Sequence, residues 1–219
     1  MNLPLIIVNF KAFEQGTGAN AVKLAKIHQR VVEETGANIA IAVNSLDLAA
    51  VCNSVKIPVF AQHLDYVDYG SHTGHFVAEH VKEVGAFGTL LNHAEYPLEG
   101  ETIKRAVQRA RAAGLFTVVC ANTPERAREV AKYDVDMVAV EPPELIGGAV
   151  SVSKANPEII EQAVALVGSG RLLVGAGIKT ADDVRIALSL GASGVLLASG
   201  VVKSDDPYSV LLDLVSGLK

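Results

Sequence analysis

Short apolar runs rich in β-branched residues alternate along this chain with longer stretches whose apolar positions recur every three or four residues. The runs fall at Leu5–Phe10, Asn38–Val43, Pro58–Ala61, Gly88–Asn92, Phe116–Ala121, Asp136–Val140, Arg171–Val174 and Gly194–Leu197. Runs of four to six residues bounded by polar or turn residues predict strands, here eight of them. Between the first two, Thr17–Glu34 spaces Ala21, Leu24, Ala25, Ile27, Val31 and Val32 at helical intervals. Glu101–Ala113, Pro124–Lys132, Pro157–Val167, Thr180–Leu190 and Pro207–Leu218 read the same way. Leu46–Asn53 and Thr73–Val84 are shorter candidates.

Several of these helices carry start signals. Thr123-Pro124-Glu125 supplies a cap, a first-turn proline and an early acid suited to the positive end of the helix, and Asn156-Pro157-Glu158 repeats the pattern. Thr180-Ala181-Asp182-Asp183 resembles a capping box with Asp in the place of Glu or Gln. Gly36, Gly85, Gly114 and Gly191 follow helix ends, where a left-handed residue stops the helix.

Eight strand–helix units with nearly all-apolar strands imply parallel strands joined by right-handed crossovers. That leaves a closed eight-stranded barrel or an open, doubly wound sheet. The count of eight favours the barrel, as does the lack of a Gly-x-Gly-x-x-Gly turn after the first strand. No break in composition divides the chain, so residues 1–219 are expected to form one domain. About 27 residues per unit make it a compact (β/α)8 barrel with short loops.

Composition narrows the partners. With 24 acidic against 19 basic residues the net charge is −5, which argues against nucleic acid as a ligand. The apolar opening MNLPLIIVNFK is too short for a signal peptide or a membrane span. Cys52 and Cys120, far apart, make neither a disulfide framework nor a metal ribbon, so a reducing, cytoplasmic setting is expected. His63, His72, His75 and His80 crowd one stretch, but their spacing matches no standard zinc pattern, and no metal is expected.

In such a barrel the active site lies at the carboxyl ends of the strands. Three ends carry groups that do not belong in a core. The first reads IIVNFK, and residues two apart share a face, so Asn9 and Lys11 point the same way. The fourth ends LLNHAEYP, placing His93 and Glu95 at the mouth, where an imidazole can polarise a carbonyl or shuttle a proton. The sixth ends VAVEPPELIGG, so Glu141 directly follows an apolar run, where desolvation would raise its basicity. Pro142-Pro143, then Leu145-Ile146, then Gly147-Gly148 describe a stiff entry, an apolar tip and a supple exit, as in a lid over a small ligand. The seventh and eighth ends, VGAGI and LLASGV, are built of small residues that let backbone amides approach an anion.

Taken together and in order, VNFK, TGH after Ser71-His72, LLNHAE, AVEPPELIGG, VSKANPE, GAGI and GVLLASGVVK resemble the triosephosphate isomerase family in its short archaeal form, over essentially the whole chain. The resemblance implies a TIM barrel that interconverts dihydroxyacetone phosphate and glyceraldehyde 3-phosphate, a step of glycolysis and gluconeogenesis, without a cofactor. It implies Glu141 as base, His93 as neutral electrophile and Lys11 as the stabilising cation, with Asn9 beside it. It further implies residues 142–149 as a lid with Ile146 near its tip, and a phosphate held around Gly147, Gly177, Ala198 and Ser199. The segment Asp65–His75 corresponds to the family's third loop, used for subunit contact, and the archaeal form implies a homotetramer. This chain departs from the common pattern at Ala94 (often Ser), at Tyr96 (often Arg) and at Gly147-Gly148-Ala149 (usually Gly-Thr-Gly). Two other readings compete. Another phosphate-sugar barrel would leave Lys11, His93 and Glu141 together without a purpose, and a catalytically dead binding protein would be expected to have lost one of them. Cys120 reads as a small core residue and Cys52 as helix packing.

Overall fold

The computed structural model describes residues 1–142 and 151–219. Its eight strands are β1 (Leu5–Asn9), β2 (Asn38–Val43), β3 (Val59–Ala61), β4 (Gly88–Leu91), β5 (Phe116–Ala121), β6 (Met137–Val140), β7 (Leu172–Gly175) and β8 (Gly194–Leu197). They pair in parallel, each with its neighbours in sequence, and β8 returns to β1 to close the barrel. Helices α1 (Ala19–Thr35), α2 (Leu48–Cys52), α3 (Ala78–Glu83), α4 (Gly100–Ala112), α5 (Pro124–Ala131), α6 (Val152–Ala155), α7 (Pro157–Val167), α8 (Ala181–Ser189), α9 (Ser199–Val202) and α10 (Pro207–Ser216) follow in chain order.

The strands divide their side chains between two cores. Leu5, Ile7, Ala40, Ala42, Phe60, Leu90, Val118, Cys120, Met137, Ala139, Leu173 and Leu196 fill the barrel's interior, while Ile6, Val8, Ile41, Val119, Val138 and Val174 meet the helices. The register keeps inward residues beside inward residues: Ile7 pairs with Ala40, Ala42 with Phe60, Val118 with Met137 and Ala139 with Leu173. Small and large alternate, as close packing requires. Phe60 is admitted because Gly88 faces it; a Cβ on Gly88 would lie 2.6 Å from the Phe60 ring.

Local signals explain several helix ends. The Thr123 hydroxyl accepts from the Arg126 N–H, and Thr180 with Asp183 completes a capping box. Gly36, Gly85, Gly114 and Gly191 all take positive φ. Two expectations fail. Asn156 makes no side-chain cap bond, because α6 ends on it and its ψ of 64° turns the chain between two helices. The helix expected from Thr73 begins only at Ala78. The Asp65 N–H donates to the Phe76 carbonyl at 2.9 Å, and the Asp65 carboxylate accepts the Phe76 N–H at 2.7 Å. That clamp closes residues 65–76 into a loop and delays the helix. The four-residue helices α6 and α9 are too short to show a period.

One buried group has a consequence for stability. His28, fully buried on α1, packs on Phe10 at 5.3 Å and donates from Nδ1 to the Leu24 carbonyl, leaving Nε2 without a partner among the described residues. Burial lowers its pKa to about 4, against the weaker pull of that carbonyl. A histidine held below its unfolded pKa stabilises fully above about pH 6.5, and that contribution drains away as pH falls toward 4, by about 3 kcal/mol. Chemical denaturation from pH 7 to pH 4 should show this loss, and His28→Met should flatten the profile by about that amount. An unchanged profile in the variant would refute the assignment.

Candidate active site

The inward alternation that packs the barrel also delivers the chemistry. Leu5 and Ile7 face inward, and Asn9 continues the row to the mouth of the barrel. Met137 and Ala139 do the same for Glu141, whose N–H donates to the Ala121 carbonyl at 2.9 Å and so prolongs β6 by one residue. His93 arrives differently. Asn92 takes φ 58°, which breaks the alternation and turns the following residue into the mouth. The Asn92 side chain is fixed by donating to the Cys120 carbonyl and accepting from the Leu98 N–H. Lys11 also leaves strand geometry, at φ 50°. Non-glycine residues in that region cost free energy and concentrate at functional sites.

These groups meet in a cavity of about 290 Å3 lined by Asn9, Lys11, His93 and Glu141 and by the small-residue turns around Gly177, Ala198 and Ser199. His93 Nε2 lies 3.6 Å from a Glu141 oxygen. On the far side of the ring, the Glu95 backbone N–H donates to Nδ1 at 3.1 Å. A backbone N–H only donates, so Nδ1 must present a lone pair and the neutral ring carries its proton on Nε2, facing the cavity. The Glu141 carboxylate is buried, and its Oε2 has no hydrogen-bond partner among the described residues. Burial raises its pKa above the ordinary carboxylate value; His93, Cys120 and Lys11 act against that rise. Lys11 Nζ is paired with Glu95 at 2.7 Å.

Several supporting residues were not singled out in the sequence. Gln62, one step beyond β3, donates to the Asn9 side chain and to the Lys11 and Ala42 carbonyls, fixing the first strand end. A polar residue closing an apolar strand was the available signal. Gly175 lies against Glu141: a Cβ there would stand 2.4 Å from Glu141 Cγ. Cys120 is a core residue, as read, but one that faces the Glu141 carboxylate, and burial drives its thiol pKa well up.

The turn after β7 is held from outside the barrel. Ala176 and Gly177 both take positive φ. The buried Asp183 carboxylate accepts the Lys179 and Thr180 N–H groups, the Thr180 and Ser151 hydroxyls, and the Lys154 ammonium at 2.9 Å. Burial alone would raise its pKa, yet these donors bring it down to about 2. The Val152 N–H adds a bond to the Ala176 carbonyl.

A buried carboxylate, an imidazole and an ammonium around one cavity at the carboxyl mouth of a closed barrel can be compared with known proteins. The family model for triosephosphate isomerase matches residues 4–217. This chain belongs to the triosephosphate isomerase family. It is 48% identical over 217 residues to the triosephosphate isomerase of Methanobacterium bryantii, covering 97% of this chain and 96% of that one. To that of Pyrobaculum arsenaticum it is 45% identical over 222 residues, covering 100% and 99%. A solved triosephosphate isomerase from Bartonella henselae superposes with a TM-score of 0.72 at 19% identity, covering 99% and 98%, a likeness of fold.

Not every expected site residue falls within the described part of the family fold. Ile146 and Gly147, with the rest of 143–150, lie outside the described residues, while Pro142 is buried. Among the positions that depart from the common family pattern, Ala94 lines a second cavity with Asn92, Cys120, Arg126 and Glu141. Tyr96 is exposed and stacks on His63 at 4.6 Å. The crowded histidines have separate surroundings: His63 faces Asp65, and His72 packs on His75. Among the described residues, no three His, Cys, Asp or Glu side chains converge as metal ligands, and no helix is long and apolar enough to cross a membrane.

Proposed function

We propose that this chain interconverts dihydroxyacetone phosphate and glyceraldehyde 3-phosphate by proton transfer between adjacent carbons through an enediolate. The observation that carries the proposal is a buried carboxylate, Glu141, across 3.6 Å from a His93 Nε2 that must bear the proton. Glu141 takes the proton from one carbon and returns it to the next. Its raised pKa makes it a stronger base than a solvated carboxylate. Negative charge builds on the substrate oxygens, where the neutral His93 N–H donates and the Lys11 ammonium attracts. Asn9 orients the same oxygens, and the turns at Gly177, Ala198 and Ser199 hold the phosphate, with Ile146 and Gly147 assigned to the covering segment. The hydroxyl proton passes from one oxygen to the other through His93, which gives up its Nε2 proton to one and takes one back from the other, so the steps balance with these side chains alone.

An assay coupled to a reductase for dihydroxyacetone phosphate tests the reading, with glyceraldehyde 3-phosphate as substrate. Turnover is expected, and its absence from folded protein would overturn it. A homotetramer belongs to the same proposal: Leu46, Tyr69, Phe76 and Tyr96 are exposed, and subunit contacts would cover such surface. Light scattering should give four times the chain mass of 23.0 kDa. Cytoplasmic residence is proposed from the unpaired Cys52 and Cys120 and the phosphorylated substrate.

A further inference from the structure

The cavity mouth holds three lysines, of which Lys11 alone is paired with a carboxylate among the described residues. Its ammonium is paired with Glu95 at 2.7 Å, so before substrate arrives its charge is largely matched. Lys179 and Lys203 line the same cavity at the end formed by the turns after β7 and β8. Neither ammonium group lies within 4.0 Å of a carboxylate among the described residues. Both are exposed. The two turns touch: a Cβ on Gly200 would lie 3.4 Å from Lys179 Cγ, and Lys203 follows three residues later in the same segment. Lys179 is also anchored through its own N–H on Asp183. Lys203 Nζ rests 5.5 Å from the centre of the Phe13 ring, a weak cation–π contact that an anion can easily outbid.

We propose that Lys179 and Lys203 form a cationic rim that captures the phosphate dianion before the backbone turns hold it. This rests on the isomerase reading, and it makes the two lysines determinants of substrate class at the same site. The physical need is plain. The chain carries −5 overall, and Glu95 and Glu141 both face the cavity, so a dianion approaches against the protein's sign. Two positive charges at the mouth, without a carboxylate partner among the described residues, reverse that field locally and raise the encounter rate. Attraction through water acts at long range and is screened by salt.

The test compares the unaltered chain with Lys179→Gln/Lys203→Gln, using kcat/KM on glyceraldehyde 3-phosphate from about 10 mM to about 0.5 M ionic strength. At low salt the double variant should be slower by about tenfold, with kcat falling far less, and the two curves should converge as salt rises. Lys179→Arg/Lys203→Arg should restore most of the rate, which a merely structural role for the lysine stems would not distinguish by salt. Titration calorimetry with inorganic phosphate gives an independent arm: affinity should weaken by about fivefold or more in the Gln pair. A chain that binds phosphate in this lysine-dependent way yet fails to isomerise would sink the isomerase reading and keep the rim. A Gln pair within about twofold of the unaltered chain at low salt, or a loss of equal size at every salt, would overturn the rim.

Discussion

Glu141→Gln should lower kcat by at least about a thousandfold, leave phosphate affinity nearly unchanged and raise the melting temperature. The first outcome follows from its place. Within the described site, Glu141 is the buried carboxylate beside the His93 donor, and an amide in its position cannot accept the proton. The last follows from linkage. Burial raises the folded-state pKa of Glu141 above its unfolded value. The folded chain therefore binds this proton more tightly, and Glu141 favours folding only as pH falls through the raised value. Above that value the ionised group is desolvated, with one oxygen unpartnered among the described residues, and it opposes folding. The same shift places the acid limb of kcat/KM above pH 4.5, the ordinary value for a glutamate. Kinetics and calorimetry on one protein preparation check all of this. A variant that is inactive but less stable would contradict the account of Glu141 as a base held at a cost.

Gly175→Ala should be nearly as damaging without touching a reacting group. Its new methyl would stand 2.4 Å from Glu141 Cγ and 2.5 Å from Oε1, so the carboxylate must move. A displacement of about 1 Å at the reacting centre costs on the order of a hundredfold. The loss should appear in kcat, with phosphate affinity retained, because the turns proposed to hold the anion begin only after this residue. Normal kcat in a folded Gly175→Ala protein would show that the contact does not position the base.

The barrel could be read from the sequence because its cause is periodic. Eight apolar runs and their helical partners are one-dimensional patterns, and strict inward–outward alternation follows from the pleat. Counting by twos from Met137 carries the eye to Glu141, and from Leu5 to Asn9, so those residues were legible in place as well as in type. His93 was legible only in type. Counted by twos from Leu90, Asn92 takes the inward row, and His93 reaches the cavity through the left-handed turn at Asn92, which no periodicity announces. The helix after β3 was misjudged at its start for a related reason, since the Asp65–Phe76 clamp joins residues eleven apart. Gly175 was hidden because its role is an absence of atoms, apparent only against the Glu141 side chain. Lys179 and Lys203 read as ordinary surface lysines until the contact of two turns placed both on one rim.

Asp183 has a mechanical meaning beyond its bonds. Its carboxylate ties Ser151 and Lys154, which follow the stretch 143–150, to the Lys179–Thr180 backbone, which ends the turn lining the cavity. With a pKa of about 2, that knot stays ionised and tied at any pH where an enzyme of this kind would work. Two stretches remote in sequence are therefore joined behind the turn that lines the cavity, so that turn is braced from its outer side.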